Sequence, residues 1–524
     1  MLDRHGTSAR GSGRTSGSGW TKRQKWEVLL SCGGVALVIA AMAAPYAALP
    51  QLTVATGATQ AQLTWIVDGY TLALACGVLP AGGLGDRFGR RRVLLIGLIV
   101  FAAASLLSIW TLDSGMLVGL RVLAGLGAAL VMPSTLSALT DGMPAGKYSL
   151  AVGLWAGVAG TGGLFGMVGS GVLVEYCDWR MIFVAFVVSA ALLFVLYLAT
   201  IPPQRVAGVK WDAAGSLTSA TAIAALVFAL IEGPLRGWTD PVVLVPAAVG
   251  SAGITAFVLV ELRTKNPLLP MKLFASRGFS SGALSIAIQF MACFAAILLT
   301  FQYLQLMLGD SPLQAGLALA PIPIPLILGS LLTPWLTRTF TLRQLIVTGQ
   351  LLIAVGFFAF GAVSAGADHL YLLLPQLIMT TGYGLATAPS TWAIMRDAPA
   401  GKHGVAAAVN DVSREFGAAI GIAVAGSVLA AQYVRSVATQ LPSVADELRA
   451  PVSKSLATTL ATAPRTDAGS YATKVASDAF AQGVTAAAVT MGTLVLVGAV
   501  VLAALTPGVR AVDAAPRPNH PTEL

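Results

Sequence analysis

Charge is scarce in this chain. Only 10% of its 524 residues are Asp, Glu, Lys or Arg, while 56% are hydrophobic and the mean hydropathy is +0.78. A soluble chain carries roughly a quarter charged residues, so a water-soluble globular protein is excluded. Cysteine is scarce too. Cys32, Cys76, Cys177 and Cys293 lie in four separate segments, which supplies neither a disulfide framework nor a metal cluster. The four histidines, His5, His369, His403 and His520, all fall in loops or tails, so any proton relay within the membrane rests on carboxylates. No Gly-x-x-x-x-Gly-Lys-Ser/Thr loop is present, which argues against ATP as the energy source. No nucleophile–base pair stands out and no His/Cys/Asp group has metal-ligand spacing, so the expectation is not an enzyme, with no metal and no cofactor beyond protons as coupling ion.

What is abundant is apolar length. Runs long enough to cross a bilayer, about 20 residues each, fall at 27–49, 62–84, 93–112, 116–139, 148–174, 181–201, 213–232, 242–262, 281–306, 314–336, 345–366, 370–395, 405–432 and 480–505. They predict an all-α polytopic membrane protein of fourteen spans. A transmembrane barrel would show segments of about ten residues in alternating hydrophobicity, and none occur. The net charge of +9 does not point to nucleic acid, because the basic residues flank the spans. With the amino terminus inside, Arg87, Arg90, Arg91, Arg92, Lys147, Arg205, Lys210, Arg263, Lys265, Lys272, Arg277, Arg338, Arg343, Arg396 and Lys402 are cytoplasmic, and the short outer loops keep only Arg180 and Arg236. The positive-inside rule then puts both termini in the cytoplasm. The expected organisation is a disordered tail (1–26), a first bundle (27–201), an inserted pair (213–262), a second bundle (281–505) and a tail (506–524). The polar outer loop 433–479 has the pattern of one or two amphipathic helices, a tolerated hairpin or a lid.

The most charged stretch is Gly-Gly-Leu-Gly-Asp-Arg-Phe-Gly-Arg-Arg-Arg at 82–92, too short and too polar to cross a bilayer and so a tight cytoplasmic turn. Its residues Gly82, Asp86, Arg87, Gly89, Arg90 and Arg91 resemble the loop between the second and third helices of the major facilitator superfamily. More of the chain resembles that superfamily's fourteen-helix drug:proton antiporter family, the multidrug and quaternary-ammonium exporters. The matching stretches are Leu120-Arg121 with Gly125-x-Gly127-Ala128, Trp65–Tyr70, Glu232-Gly233-Pro234 with Gly237-Trp238, Asn266–Pro270 with Leu273-Phe274, Gln302–Gln305, and Asn410-Asp411-x-x-Arg414-Glu415-x-Gly417. The resemblance implies a major facilitator fold, two six-helix bundles flanking an inserted helix pair, in a bacterial cell (inner or plasma) membrane as a monomer. It further implies export of a small amphipathic substrate, with the lipid bilayer as the only other partner. Two positions depart from it. Ala41 stands where relatives often carry an acid in the first helix, and Gly166-Met167 where the fifth helix normally has Gly-Pro.

An ionisable side chain inside a span costs about 2.5–3.5 kcal/mol even on lenient scales, so each marks a candidate site. Asp68 lies about six residues, roughly 9 Å, into the second span, on a stripe with Trp65 and Leu72 that turns Tyr70 away. A carboxylate there, withdrawn from water, can take up a proton from outside and release a cationic substrate. Arg121, among Ala124, Gly125 and Ala128, stays charged and would set when a nearby carboxylate gives up its proton. Asp411, Arg414 and Glu415, at i, i+3 and i+4, can neutralise one another on one helix face. Glu232 and Glu175 are expected at outer helix ends, solvated by water, as secondary acids. Trp65, Gln289, Phe290, Gln302 and Tyr303 are candidates for the substrate cavity, aromatics for stacking on cations and glutamines for adaptable hydrogen bonds. Asp86 is expected to pair with the arginines or cap a neighbouring helix end, as a latch for the outward-facing state. The expected activity is proton-driven drug efflux by alternating access. The alternatives are a narrow exporter of a secondary metabolite or amino acid, and a non-transporting membrane sensor on the same fold.

Overall fold

The computed structural model describes residues 20–58, 60–142, 145–202, 212–362, 368–398, 402–464 and 466–509, and every regular element among them is helical. Most of the two expected tails lies outside these residues. Helix nevertheless begins inside the first of them, at Lys22, because Thr21 and Gln24 form a reciprocal capping box that satisfies two donors of the first turn.

The first apolar run is two helices, α1 (Lys22–Ala43) and α2 (Pro45–Thr56), broken at Pro45, whose ring cannot continue a hydrogen-bonded helix interior. Then follow α3 (Gln60–Phe88), α4 (Arg90–Ser108), α5 (Ser114–Gly142), α6 (Ala145–Tyr176) and α7 (Arg180–Thr200), which pack with α1 into one group. The inserted pair is α8 (Ala213–Arg236) and α9 (Pro241–Arg263), followed by a short 3₁₀ turn, Met271–Ala275. The remaining helices are α10 (Arg277–Leu306), α11 (Pro312–Ala318), α12 (Pro323–Thr339), α13 (Leu342–Gly361), α14 (His369–Arg396), α15 (His403–Gln440), α16 (Asp446–Lys454), α17 (Leu456–Thr462) and α18 (Asp467–Leu505). Of these, α10, α13, α14, α15 and α18 pack into a second group, with α12 against α14.

Among the described residues twelve helices are long and apolar enough to cross a membrane. The runs predicted at 314–336 and 370–395 are helical as well, but differ in kind. The first is divided between α11 and α12. The second, α14, carries Pro375, Pro389 and a row of buried polar side chains including Gln376, Thr387, Ser390 and Thr391. The segment 433–479 is mostly helix: the end of α15, then α16, α17 and the start of α18. At 1.5 Å per residue, the 39 residues of α18 span about 58 Å, well beyond a hydrocarbon core of about 30 Å. The small helices α16 and α17 rest on α15 and α18; Tyr433 Oη of α15 donates to Val452 O of α16 at 2.7 Å, and Ser436 Oγ ties α15 to α18 through Gln482 Oε1 at 2.8 Å.

The two groups meet along two seams. On one, α15 lies against α3 and α5, and on the other α6 lies against α11, α12 and α14. Helix α8 packs on both α3 and α15, so it flanks the first seam, while α9 touches mainly α8 and the 3₁₀ turn.

Candidate functional site

The charged turn at 82–92 is built around a helix end. Gly89 at φ 94° separates α3 from α4, a backbone region open to glycine at little cost. Asp86 sits at the foot of α3, and its two oxygens accept the backbone N–H groups of Gly404 (2.9 Å) and Val405 (3.1 Å) at the start of α15. A carboxylate there satisfies two orphan donors and faces the positive end of the helix dipole. A Cβ on Gly82 would lie 2.5 Å from Gly404 O and 2.7 Å from Ala408 Cβ, so glycine is what lets α3 and α15 approach this closely. The arginines divide by role. Arg90 is buried, donates to Ser137 O on α5 at 2.6 Å and pairs with Asp86 at 3.3 Å. Arg91 donates to Leu198 O near the end of α7 at 3.0 Å. Arg87 is exposed, its guanidinium over the Phe88 ring at 4.9 Å.

Arg121 is 1% exposed. Its Nε donates to Ile66 O of α3 and its Nη2 to Ala41 O of α1, both at 2.8 Å, and its Cζ lies 4.4 Å from the centre of the Tyr70 ring. Tyr70 in turn donates to Val38 O at 2.8 Å. Arg121 therefore staples three helices through backbone carbonyls and forms no ion pair among the described residues. The position where relatives often carry an acid, Ala41, is wholly buried, and its carbonyl fills the role of acceptor.

Asp68 is half-buried on α3 and forms no hydrogen bond or ion pair among the described residues. Its charge is felt by Tyr46 on α2, which also senses Arg121, and Glu232 on α8 acts on Asp68. Tyr46 is 49% exposed and stands on α2 within electrostatic reach of both Asp68 and Arg121. Sequence reasoning missed Tyr46; the signal was Pro45, which breaks the first span one residue earlier.

Glu232 corrects one expectation. It is 5% exposed rather than solvated, and Arg236 one turn on bonds its Oε2 at 2.5 Å. Glu175 is exposed at the end of α6, as expected.

The triad on α15 corrects another. Asp411, Arg414 and Glu415 are all buried, yet neither carboxylate pairs with Arg414. Arg414 instead reaches across to the first group. Its Nη2 donates to Ala159 O on α6 at 3.2 Å, and its guanidinium lies 4.3 Å from the Phe290 ring centre and 5.4 Å from that of Trp155. Asp411 Oδ1 accepts from Asn410 at 3.4 Å. Asp411 Oδ2, Arg414 Nε and Glu415 Oε2 are buried with no hydrogen-bond partner, and Glu415 lies within electrostatic reach of Tyr70.

The expected cavity residues separate. Phe290, Gln302 and Trp65 are half-buried, with Trp65 5.5 Å from the Phe228 ring of α8. Gln289 and Tyr303 belong to the interior of the second group. Gln289 donates to Ser285 Oγ at 2.9 Å and accepts from Thr387 at 2.6 Å, so its polar atoms are occupied by neighbours. Tyr303 is 2% exposed in the same core. No group of three or more His, Cys, Asp or Glu side chains suited to a metal occurs among the described residues.

Comparison with known proteins agrees with this architecture. The family model of the Major Facilitator Superfamily matches residues 31–422. The methylenomycin A resistance protein of Bacillus subtilis is 31% identical over 372 residues, 70% of this chain and 79% of that protein. The multidrug efflux pump LfrA of Mycolicibacterium smegmatis is 32% identical over 378 residues, 71% and 74% of the two chains. The human organic anion transporter MFSD10 shares the fold with a TM-score of 0.61 at 14% identity, covering 91% of this chain and 99% of its own. A multi-span helical chain with two packed groups, buried charges at their seam and these relatives belongs to the Major Facilitator Superfamily, where its relatives are drug and antibiotic exporters.

Proposed function

We propose that this protein exports small amphipathic, cationic compounds from a bacterial cell by proton-coupled alternating access, as a monomer with fourteen spans and both termini in the cytoplasm. The observation that carries it is Asp68, a carboxylate within a span that is half-open and without a hydrogen-bond partner among the described residues. Such a group is free to exchange a proton for a substrate cation. The two groups rock about the seam where Asp68, Arg414 and Glu415 lie. Asp86 holds the start of α15 while the opposite side is open. A proton bound at Asp68 from outside displaces the cation, and the membrane potential adds about 2.3 kcal/mol per charge per 100 mV. Tyr46, Trp65 and Phe290 offer aromatic faces to the substrate.

The test is proton release from purified protein on addition of lipophilic cations, repeated with Asp68→Asn. Release from the wild type and none from Asp68→Asn is expected, with Asp68→Glu retaining it. Full release from the Asn variant removes Asp68 from the mechanism.

A narrower exporter of one metabolite is favoured by a single feature, Ala41. Its buried methyl leaves no second carboxylate to hold a dication. A drug-susceptibility panel in an efflux-deficient strain separates the two, since protection against many unrelated cations indicates breadth and protection against one compound indicates self-export.

A further inference from the structure

Two carboxyl groups lie buried together at one end of the inserted helix pair. Asp212 caps the start of α8 and is 8% exposed; Glu261 sits in the last turn of α9 and is 3% exposed. Each gives one oxygen to a backbone N–H at 2.9 Å, Asp212 Oδ1 to Gly215 and Glu261 Oε2 to Leu269. The other oxygen of each, Asp212 Oδ2 and Glu261 Oε1, is buried without a partner. These two oxygens converge, because a Cβ on Gly215 would strike Glu261 Oε1 and lie 2.7 Å from Asp212 Oδ2. Two buried carboxylates facing each other repel strongly, and the arrangement is relieved when one holds a proton and donates it to the other.

What the pair secures is the segment 264–276. Glu261 fixes it through Leu269. Lys402 fixes it again, its Nζ donating to Pro267 O at 2.7 Å. Lys402 directly precedes His403–Val405, and Gly404 and Val405 are the residues that Asp86 holds. The charged groups around the carboxyl pair are Lys402, which opposes their charge, and beyond it Asp86; Arg263 on α9 is exposed. Burial pulls the Lys402 ammonium below the usual lysine range against the attraction of Asp86, Glu261 and Asp212, so the clasp is itself withdrawn from water.

We propose that Asp212 and Glu261 share one proton and that this pair fastens residues 264–276 as a strap, tying the inserted helices to the Asp86 latch through Lys402. When the cytoplasm turns alkaline Glu261 loses that proton, like charges face each other, the strap loosens and the latch opens more readily. These are positioning residues. The step from strap to latch rests on the alternating-access reading, whereas the strap itself does not.

The experiment uses the full chain in lipid with its four cysteines replaced. One spin label at Lys265→Cys, an exposed strap position, reports fastening. A second sample, labelled at the exposed Arg92→Cys and Arg338→Cys, reports separation of the two groups near the latch. In the wild type, raising the pH should mobilise residue 265 and lengthen the 92–338 separation in step. Glu261→Gln, whose amide supplies the shared hydrogen while still accepting from Leu269, should keep the low-pH signature at every pH. Because it retains Lys402, a flat response assigns the titration to the carboxyl pair. Glu261→Ala should be mobile throughout. A wild-type strap that ignores pH, or a Glu261→Gln strap that follows the wild type, overturns the shared proton. A strap that titrates while the 92–338 separation stays fixed overturns the coupling. Neither readout needs a substrate or a proton flux, so a failed exporter assignment would show separately in the proton-release assay.

Discussion

Two buried arginines sit on either side of the seam, and they are unlike. Arg121 belongs wholly to the first group: two carbonyls at 2.8 Å, an aromatic face beneath it, helices α1, α3 and α5 drawn together. Arg414 belongs to the second group but reaches into the first, with one longer bond to Ala159 O, an unpaired Nε, and two carboxylates on its own helix that it does not touch. A buried donor or acceptor left without a partner costs about 1–3 kcal/mol. Arg121 has settled that cost within one rigid body, so its contacts persist when the groups move. Arg414, Asp411 and Glu415 have not. Their arrangement is the one that a change of state, or a proton, can improve.

The largest effect should therefore be on folding, at Arg121. Arg121→Ala strands the carbonyl of Ala41, whose residue four further on is Pro45 and has no N–H to offer, and removes two bonds to a charged donor, each about 1.5–3 kcal/mol. Thermal unfolding in detergent should drop by several kcal/mol, with Arg121→Lys recovering part through a single bond. If Arg121→Ala unfolds like the wild type, the staple is not structural and the contrast with Arg414 fails.

Arg414→Met should do the reverse. It gives up one long bond and an unpaired Nε, and Asp411 and Glu415, which are not bonded to Arg414, can take up protons rather than hold buried charge in its absence. The stability loss should stay near that of one hydrogen bond, about 0.5–1.5 kcal/mol, while transport measured in liposomes falls by at least about tenfold, a change of 1.4 kcal/mol or more. Glu415→Gln should likewise fold normally, and should change how transport responds to pH. Transport at wild-type level in both variants would return the triad to a packing role.

How much of this was legible beforehand follows from what each feature depends on. The helices and their approximate ends are written in runs of apolar residues, which report burial from water directly. The charged turn was legible because Gly82, Asp86 and the arginines are local to it, whereas its partners Gly404 and Val405 lie far along the chain. The seat of Arg121 was not, because its partners are backbone carbonyls of residues 41 and 66, and a carbonyl has no side-chain signature. Spacing of i, i+3 and i+4 correctly put Asp411, Arg414 and Glu415 near one another. It could not say that a long arginine would find a better acceptor on α6. Glu232 lies at the end of a span, but the packing of α8 on α3 and α15 buries it, and only the tertiary arrangement contains that fact. Gln289 looked like a ligand-binding glutamine because Ser285 and Thr387, which occupy it, lie on its own helix and on α14.

The latch offers a finer version of the same contrast, between shape and charge. Gly82→Ala places a methyl 2.5 Å from Gly404 O, which forces α3 and α15 apart at this end. Asp86→Asn keeps the shape, replaces one acceptor oxygen and removes the charge facing the helix dipole, worth about 0.3–1 kcal/mol. Distances between labels at 92 and 338 should lengthen more for Gly82→Ala than for Asp86→Asn. The opposite order would mean that charge rather than close approach holds this side shut.

The smallest effect separates two arginines of the same motif. Arg90 is buried and holds Ser137 O and Asp86 at once, so Arg90→Ala leaves a carbonyl and a carboxylate short of a charged donor and should cost about 1.5–3 kcal/mol in thermal unfolding. Arg87, two residues after Gly85, points to solvent over an exposed phenylalanine ring. Exposed contacts of that kind contribute about 0.5–1 kcal/mol at most, and surface substitutions away from special features usually stay within about 0.5 kcal/mol. Arg87→Ala should leave unfolding and the 92–338 distance unchanged, and any deficit should appear only in how the protein inserts, because the charge still counts toward topology. A stability loss at Arg87 equal to that at Arg90 would show that the turn acts as one charged cluster, and that burial does not rank its members.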